Sequence, residues 1–131
     1  MDNGRPIDVL LVEDNDVFRE ALELMLAVMP DIRVVGSVAD GRTAVDVCAQ
    51  LRPDVVLMDY RLPGLDGVEA TAVIGTAPGD AAVVVLTAAA ENGELEALYE
   101  AGAVACLTKD SDLNEIVATI RDAAGRGAPL R

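Results

Sequence analysis

The sequence is poor in the residues from which many binding and catalytic sites are built. Its 131 residues include no His and no Trp, one Phe, two Tyr and two Cys, and Lys109 is the only lysine. Without His, and with Cys48 and Cys106 far apart in the chain, a zinc site of Cys and His ligands is not expected. The two cysteines are instead expected to be small buried hydrophobic residues in a reducing compartment.

Charge and aromatic content argue against two classes of partner. The chain has 23 acidic and 10 basic residues, a net charge of −13, and its aromatic side chains are Phe18, Tyr60 and Tyr99. Such a surface repels phosphates and lacks stacking platforms, so direct nucleic-acid binding by this domain is not expected. No apolar stretch approaches transmembrane length and no signal-like segment opens the chain, so we expect no membrane association and a cytoplasmic location.

Hydrophobic periodicity indicates a single α/β domain over residues 1–124, followed by a Gly/Pro-containing tail, 125–131. The predicted strands are 7–12, 32–38, 55–58, 81–86 and 104–107. The predicted helices begin after Asn15 or Asp16, at Asp40-Gly41, after Asp66, near Glu91, and after Ser111 or Asp112. This alternation predicts a doubly wound parallel sheet of the flavodoxin-like (βα)5 type, with strand order 2-1-3-4-5.

Apolar residues at helical spacing predict which helix faces are buried. Met25 and Met29 of the first helix are expected in the core. The last helix is expected to bury Leu113, Ile116, Val117, Ile120 and Ala124. The fourth helix has a weaker stripe of Leu95, Leu98 and Tyr99, interrupted early by Gly93, and we expect it to be mobile.

Polar side chains end four of the five predicted strands: Glu13 and Asp14, Asp59, Thr87 and Lys109. The carboxyl ends of parallel strands share one edge of the sheet, where such folds bind ligands. Order 2-1-3-4-5 makes the first and third strands neighbours, which brings the three carboxylates together. Clustered carboxylates raise one another's pKa, and a hard cation such as Mg²⁺ relieves that repulsion.

The remaining groups at this edge point to phosphoryl transfer. Lys109 and Thr87 supply a positive charge and a hydroxyl, which suit phosphoryl oxygens. We therefore predict that Asp59 attacks a phosphoryl donor with Mg²⁺ neutralising the developing charge. An acyl phosphate is short-lived, so this chemistry suits a switch in which Thr87 and Lys109 draw their loops inward.

These residues match a known pattern over nearly the whole chain. The segments 13–15, 58–67, 86–88 and 102–109 resemble the receiver domain (CheY-like) of bacterial two-component response regulators. The resemblance implies a phosphoacceptor switch that assists its own phosphorylation and dephosphorylation, rather than an enzyme. It also implies a sensor histidine kinase as the phosphoryl donor.

The resemblance assigns roles to individual residues. It implies that Asp59 is the phospho-acceptor and that Asp14, Asp59 and the main-chain carbonyl of Arg61 bind Mg²⁺, with Glu13 acting through metal-bound water. Arg61 and Ala89, two residues beyond Asp59 and Thr87, occupy positions that tune hydrolysis of the acyl phosphate in this family.

Two further details resemble the NarL/FixJ subfamily: Lys109-Asp110 and the Ile120-Arg121 ending. Receivers of that subfamily usually precede a helix-turn-helix domain. The resemblance therefore implies control of transcription through an attached domain not encoded in these residues, with 125–131 as a truncated linker.

One position departs from the family pattern. Cys106 stands three residues before Lys109, where the family usually has Tyr or Phe. The coupled rotation of Thr87 and that aromatic residue is therefore not expected in its usual form. The output is expected to use Tyr99 or a rearranged fourth helix, with a phosphorylation-dependent homodimer through the fourth helix, fifth strand and fifth helix.

Three other interpretations stay open. A flavodoxin-type cofactor binder would need a Ser/Thr/Gly-rich phosphate loop after the first strand, where Glu13 to Asp16 would repel phosphate. A phosphohydrolase with an Asp nucleophile commonly has a second acid where this chain has Arg61. A pseudo-receiver that binds proteins constitutively is favoured only by Cys106. Singly, each site residue also suits helix capping or ion pairing, and only their joint placement indicates a site.

Overall fold

A computed structural model of the protein describes residues 5–65, 67–76, 81–88 and 92–125. The predictions made at Asp66, Ala89, Glu91 and most of the tail lie outside the described residues. The strands are β1 (Ile7–Val12), β2 (Ile32–Val38), β3 (Val55–Asp59), β4 (Ala82–Thr87) and β5 (Ala105–Thr108). The helices are α1 (Asp16–Ala27), α2 (Gly41–Leu51), α3 (Gly67–Thr76), α4 (Asn92–Ala101) and α5 (Leu113–Ala123).

The five strands form one parallel sheet in the order β2-β1-β3-β4-β5, which confirms the predicted topology. β1 and β3 are neighbours, and Val12 is in register with Met58. The residues that follow, Glu13 and Asp59, therefore lie side by side at the carboxyl edge. None of the described helices has both the length and the apolar character needed to cross a membrane.

Two hydrophobic cores cover the faces of the sheet. Val9 and Leu11 of β1 pack with Leu22, Leu26 and other side chains on the face covered by α1 and α5. Alternate residues of the same strand point to the opposite face, towards α2, α3 and α4. Every residue of β3 is buried, as an apolar run between two helical layers predicts. Each buried Val or Leu contributes about 1.5–3 kcal/mol, so the central strands hold their carboxyl ends rigidly.

Side-chain caps fix where three helices begin. Asn15, Asp40 and Asp112 each accept a hydrogen bond from the amide three residues on, which resolves the predicted alternatives in favour of Asn15 and Asp112. In α1 the prediction for Met25 is wrong: its side chain is 36% exposed, and Leu26 is buried instead. The helix turns Leu22 and Leu26, four residues apart, towards the sheet.

Three Arg–Asp ion pairs lie at the amino edge of the sheet, away from the predicted site. Arg33 pairs with Asp8 at 2.8 Å, Arg5 with Asp54 at 3.2 Å, and Arg121 with Asp31 at 2.7 Å. The last pair joins α5 to the start of β2, and the hydrogen bond to Asp31 raises the pKa of Arg121. Exposed pairs of this kind stabilise the fold by about 0–1 kcal/mol each.

The loop between β3 and α3 is closed by backbone contacts. The Tyr60 amide donates to Leu86 O at 2.8 Å, and the Gly67 amide donates to Tyr60 O at 2.9 Å. A Cβ at Gly67 would lie 2.6 Å from Tyr60 O, and one at Gly41 would lie 2.6 Å from Leu65 O. Glycine at both positions therefore lets α2 and α3 begin against this loop.

We expect Gly67→Ala to lower the free energy of unfolding by about 1–3 kcal/mol, because the added methyl group displaces the backbone at Tyr60. Urea denaturation measures this change. The matched control is Gly93→Ala in α4, where an added Cβ would have no described atom within 4 Å. That control should be neutral or stabilising by about 0.5–1 kcal/mol. Equal midpoints for Gly67→Ala and wild type would contradict the close contact at Gly67.

Candidate functional site

Three carboxylates meet at the carboxyl edge of the sheet. Glu13 and Asp14 follow β1 and Asp59 ends β3, and one oxygen from each lies within 4.8 Å of the others. Glu13 and Asp59 are buried, whereas Asp14 is exposed. The neighbouring positions of β1 and β3 in the sheet create this cluster, as predicted.

Lys109 brings a positive charge to the two buried carboxylates. Its Nζ lies 2.9 Å from Glu13 Oε1 and 3.2 Å from Asp59 Oδ2. Its main chain is fixed by a 2.8 Å hydrogen bond from its own amide to Thr87 O. The Glu13 contact is an ion pair of poor hydrogen-bond alignment, since the buried Oε1 accepts no hydrogen bond from the described residues.

The electrostatics of the cluster are unbalanced. Burial raises the pKa of Glu13, opposed by a hydrogen bond from the Asn15 amide and by Lys109. Burial disfavours the charge of Lys109, but its contacts with Glu13 and Asp59 outweigh burial and raise the pKa of Lys109 overall. Three carboxyl groups face one ammonium group, so the cluster is short of positive charge, which a bound cation would supply.

Arg61 borders an open cleft beside Asp59. Its amide donates a 3.3 Å hydrogen bond to Asp59 Oδ1. Its side chain is 78% exposed and lies 3.9 Å from Glu94 of α4. A cleft of about 490 Å³ adjoins this loop, lined by Asp14, Tyr60, Arg61, Leu62 and Pro63. Solvent and ligands therefore have an approach to the carboxylates.

Thr87 and Cys106 occupy strands beyond Asp59. Asp59 is in register with Leu86, so Thr87 lies one residue further along β4, and it is buried. Cys106 lies on the same face of the neighbouring strand, in register with Val85, and packs against the core beneath α4. Burial raises the pKa of Cys106, and its interaction with Tyr99 opposes that rise. Tyr99 is half exposed.

The structure thus brings Glu13, Asp14, Asp59 and Lys109 together, with the Arg61 amide adjacent. Cys106 is not part of this group. From the sequence, Phe18 was noted only as one of the three aromatic residues, but Lys109 Nζ lies 4.8 Å from the centroid of its ring. The first turn of α1 faces the site. An aromatic residue three positions after the capping Asn15 could therefore have indicated this contact.

Comparisons with known proteins agree with this geometry. The family profile described as the response regulator receiver domain matches residues 9–121. The transcriptional regulatory protein LiaR of Bacillus subtilis is 40% identical over 123 residues, which are 94% of this chain and 58% of LiaR. The response regulator GacA of Pseudomonas aeruginosa is 39% identical over 115 residues, which are 88% of this chain and 54% of GacA. The chain therefore spans little more than half the length of these relatives.

Solved structures give the same result. The receiver domain of the putative response regulator NarL from Mycobacterium tuberculosis matches with a TM-score of 0.89 and 31% identity, over 92% of this chain and 98% of that one. The receiver domain of the sensor histidine kinase PA1611 from Pseudomonas aeruginosa, solved with a magnesium ion in its active-site cleft, matches with a TM-score of 0.82 and 36% identity, over 92% and 98% of the two chains. The sequence, the fold and these relatives together show that the chain belongs to the response regulator receiver domain family.

Proposed function

We propose that this receiver domain is switched on when Asp59 takes a phosphoryl group from a sensor histidine kinase. The observation that carries the proposal is the cluster of Glu13, Asp14, Asp59 and Lys109, whose Asp14 also lines the cleft. Asp59 is 5% exposed, so its carboxylate is partly desolvated but next to open space. A partly desolvated carboxylate of this kind is a better nucleophile than one in bulk water.

The chain's own residues orient the nucleophile. Asp59 Oδ2 contacts Lys109 and Oδ1 faces the Arg61 amide, so the carboxylate plane is held between two donors. In the proposed step an Asp59 oxygen forms a bond to phosphorus as the phosphorus–nitrogen bond of phosphohistidine breaks, and the imidazole leaves with the electron pair. Lys109 then remains beside the new phosphoryl oxygens, and we propose that it neutralises part of their charge. The domain thereby assists its own phosphorylation and dephosphorylation.

The donor set fits Mg²⁺. All the ligands offered are hard oxygens, the cluster carries excess negative charge, and Glu13 Oε1 lacks a hydrogen bond among the described residues. Asp14, Asp59 and the Arg61 main-chain carbonyl would hold the ion, with Glu13 acting through a bound water. When bound, Mg²⁺ supplies positive charge to the phosphoryl oxygens during transfer.

The proposed output passes through Thr87 to α4. Thr87 would hydrogen-bond the new phosphoryl group and shift the end of β4 towards Asp59. Cys106 is too small to follow as an aromatic residue would, so we propose that Tyr99, which interacts with Cys106 and is half exposed, carries the change to the surface. The side chain of the exposed Arg61 also pairs with Glu94, and this pair links the β3–α3 loop to α4.

We propose that in the cell this domain works in the cytoplasm, within a transcription regulator that has a helix-turn-helix domain. The relatives support that arrangement, because the matched region is only 58% of LiaR and 54% of GacA, with 125–131 as part of the linker. The activated form would pair through α4, β5 and α5. Of the apolar stripe of α4, Leu98 cannot contribute to that face because it is fully buried, whereas Leu95 is partly exposed and Tyr99 is 50% exposed.

Labelling with radioactive acetyl phosphate and Mg²⁺ tests the nucleophile. Wild type should incorporate one phosphate, and Asp59→Asn none, because the amide oxygen is a poor nucleophile. Asp46→Asn is the matched control, since Asp46 is exposed on α2, and it should label like wild type. Equal labelling of Asp59→Asn would show that the nucleophile assignment is wrong. No labelling of any variant would favour a pseudo-receiver.

Calorimetric titration with MgCl₂ tests the metal site. Asp14→Asn should lower the Mg²⁺ affinity about tenfold or more, because it removes a charged ligand from the exposed side of the cluster. The free energy of unfolding in EDTA should change by less than about 0.5 kcal/mol, as for an ordinary surface substitution. Asp46→Asn should bind Mg²⁺ like wild type. An unchanged affinity in Asp14→Asn would remove Asp14 from the ligand set.

Sedimentation with and without beryllofluoride, a phosphoryl mimic, tests the pairing. We expect a monomer without the mimic and a dimer with it. Tyr99→Ala should weaken the dimer by about 1–2 kcal/mol, the range expected for an aromatic residue at an interface. The same mass in both conditions would count against dimerisation as the output.

A further inference from the structure

We propose that Phe18 is a positioning residue for Lys109, whose ammonium group it keeps at the phosphorylation site through a cation–π contact. Lys109 Nζ lies 4.8 Å from the centroid of the Phe18 ring. This distance is within the range at which an ammonium is attracted to the face of an aromatic ring. The inference rests on the proposed function for the role of Lys109, but the contact itself does not.

The Phe18 ring is held in place from two directions. Its own amide donates a 2.9 Å hydrogen bond to the Asn15 side chain, which fixes the first turn of α1. Its ring packs partly buried against the core between α1, α5 and the sheet. The next residue, Arg19, donates a 2.7 Å hydrogen bond to Glu13 O. The start of α1 is therefore fixed to the end of β1, and the ring is a preformed surface.

Lys109 needs such a surface because its side chain is flexible. Its main chain is fixed to Thr87 O, but four rotatable carbons separate the ammonium from that anchor, and the side chain is 26% exposed. Among the described residues, the ammonium also forms ion pairs with two carboxylates, those of Glu13 and Asp59. The ring closes a third side and limits the directions in which the ammonium can move.

The three contacts respond differently to the reaction. Phosphorylation replaces the Asp59 carboxylate, and a bound cation competes with Lys109 for the charge of Glu13. The ring carries no net charge and belongs to a fixed helix, so its attraction for the ammonium persists through both changes. Phe18 thus provides the contact of Lys109 that does not depend on the state of the site.

The sole lysine makes the contact directly measurable. In protein labelled with ¹³C-lysine, without metal or phosphate, the Lys109 side chain gives one set of NMR signals. The ring current of Phe18 should displace the Cε proton signals from their position in free lysine. Phe18→Leu, which keeps an apolar side chain but removes the ring, should return them towards that position. Phe18→Tyr should retain the displacement. Signals that are the same in wild type and Phe18→Leu would overturn the contact.

Binding of beryllofluoride with Mg²⁺ tests the positioning role. A cation–π contact at a partly exposed site corresponds to about twofold to fivefold in affinity, so Phe18→Leu should weaken binding by that factor and Phe18→Tyr should bind like wild type. In a Lys109→Ala background the Phe18→Leu change should have no further effect. An equal loss in both backgrounds would mean that Phe18 acts only through the core, and would overturn the positioning role.

Two controls separate the ways in which this test can fail. Urea midpoints establish that each variant is folded, and Phe18→Met replaces Phe18→Leu if the latter is not. If neither wild type nor Asp59→Asn takes phosphate from acetyl phosphate, the proposed function fails and the positioning role fails with it. The lysine signals still show whether the contact exists, so the failed step is identified.

Discussion

The ion pairs of Lys109 with Glu13 and Asp59 are the interaction on which the site depends. Two carboxylates that are almost fully buried are unstable beside each other, and a third, Asp14, lies within reach of both. One ammonium group offsets part of that repulsion and leaves the rest for a cation to offset. Lys109 therefore allows the two carboxylates to be buried in the folded domain, but the cluster still lacks positive charge. A site that takes up a metal ion and a phosphoryl group needs this deficit.

The fold places these groups by topology rather than by local sequence. Glu13, Asp59 and Lys109 are far apart in the chain, but each lies at the carboxyl end of a strand of one parallel sheet. The order β2-β1-β3-β4-β5 makes β1 and β3 neighbours, and apolar cores on both faces hold those strands. The β3–α3 loop supplies the Arg61 amide and lines the cleft. The first turn of α1 supplies Phe18.

The strands, the helix starts and the residues at the strand ends can be predicted from the sequence, because apolar runs and capping residues mark them locally. β1 and β2 have the bounds that their apolar runs predict, and Asp40 and the residues after it begin α2 as a capping pattern should. The carboxyl-edge residues were predictable since each lies at or just beyond the end of an apolar run. Apolar spacing alone does not fix the rotation of a helix about its axis: Met25 is partly exposed and Leu26 is buried, although both are apolar and adjacent.

What sequence reasoning missed depends on side-chain direction in three dimensions. No spacing rule predicts that the Phe18 ring lies against an ammonium from residue 109, or that Tyr99 reaches Cys106 across the gap between α4 and β5. Leu98 and Tyr99 show the same limit, because they are adjacent on one helix but one is buried and the other half exposed. Contacts of this kind are set by packing between elements, which the order of residues within one element does not encode.

The ion pairs at the amino edge have an electrical consequence for the molecule as a whole. Asp8, Asp31 and Asp54 there are each matched by an arginine, whereas at the carboxyl edge one lysine pairs with two of the three clustered carboxylates. The charges of these described residues are therefore distributed unevenly along the strands. The resulting electric field attracts cations to the carboxyl edge of the sheet. At physiological ionic strength such a field extends about 8 Å into solvent, far enough to hold mobile cations near the mouth of the cleft before any of them binds.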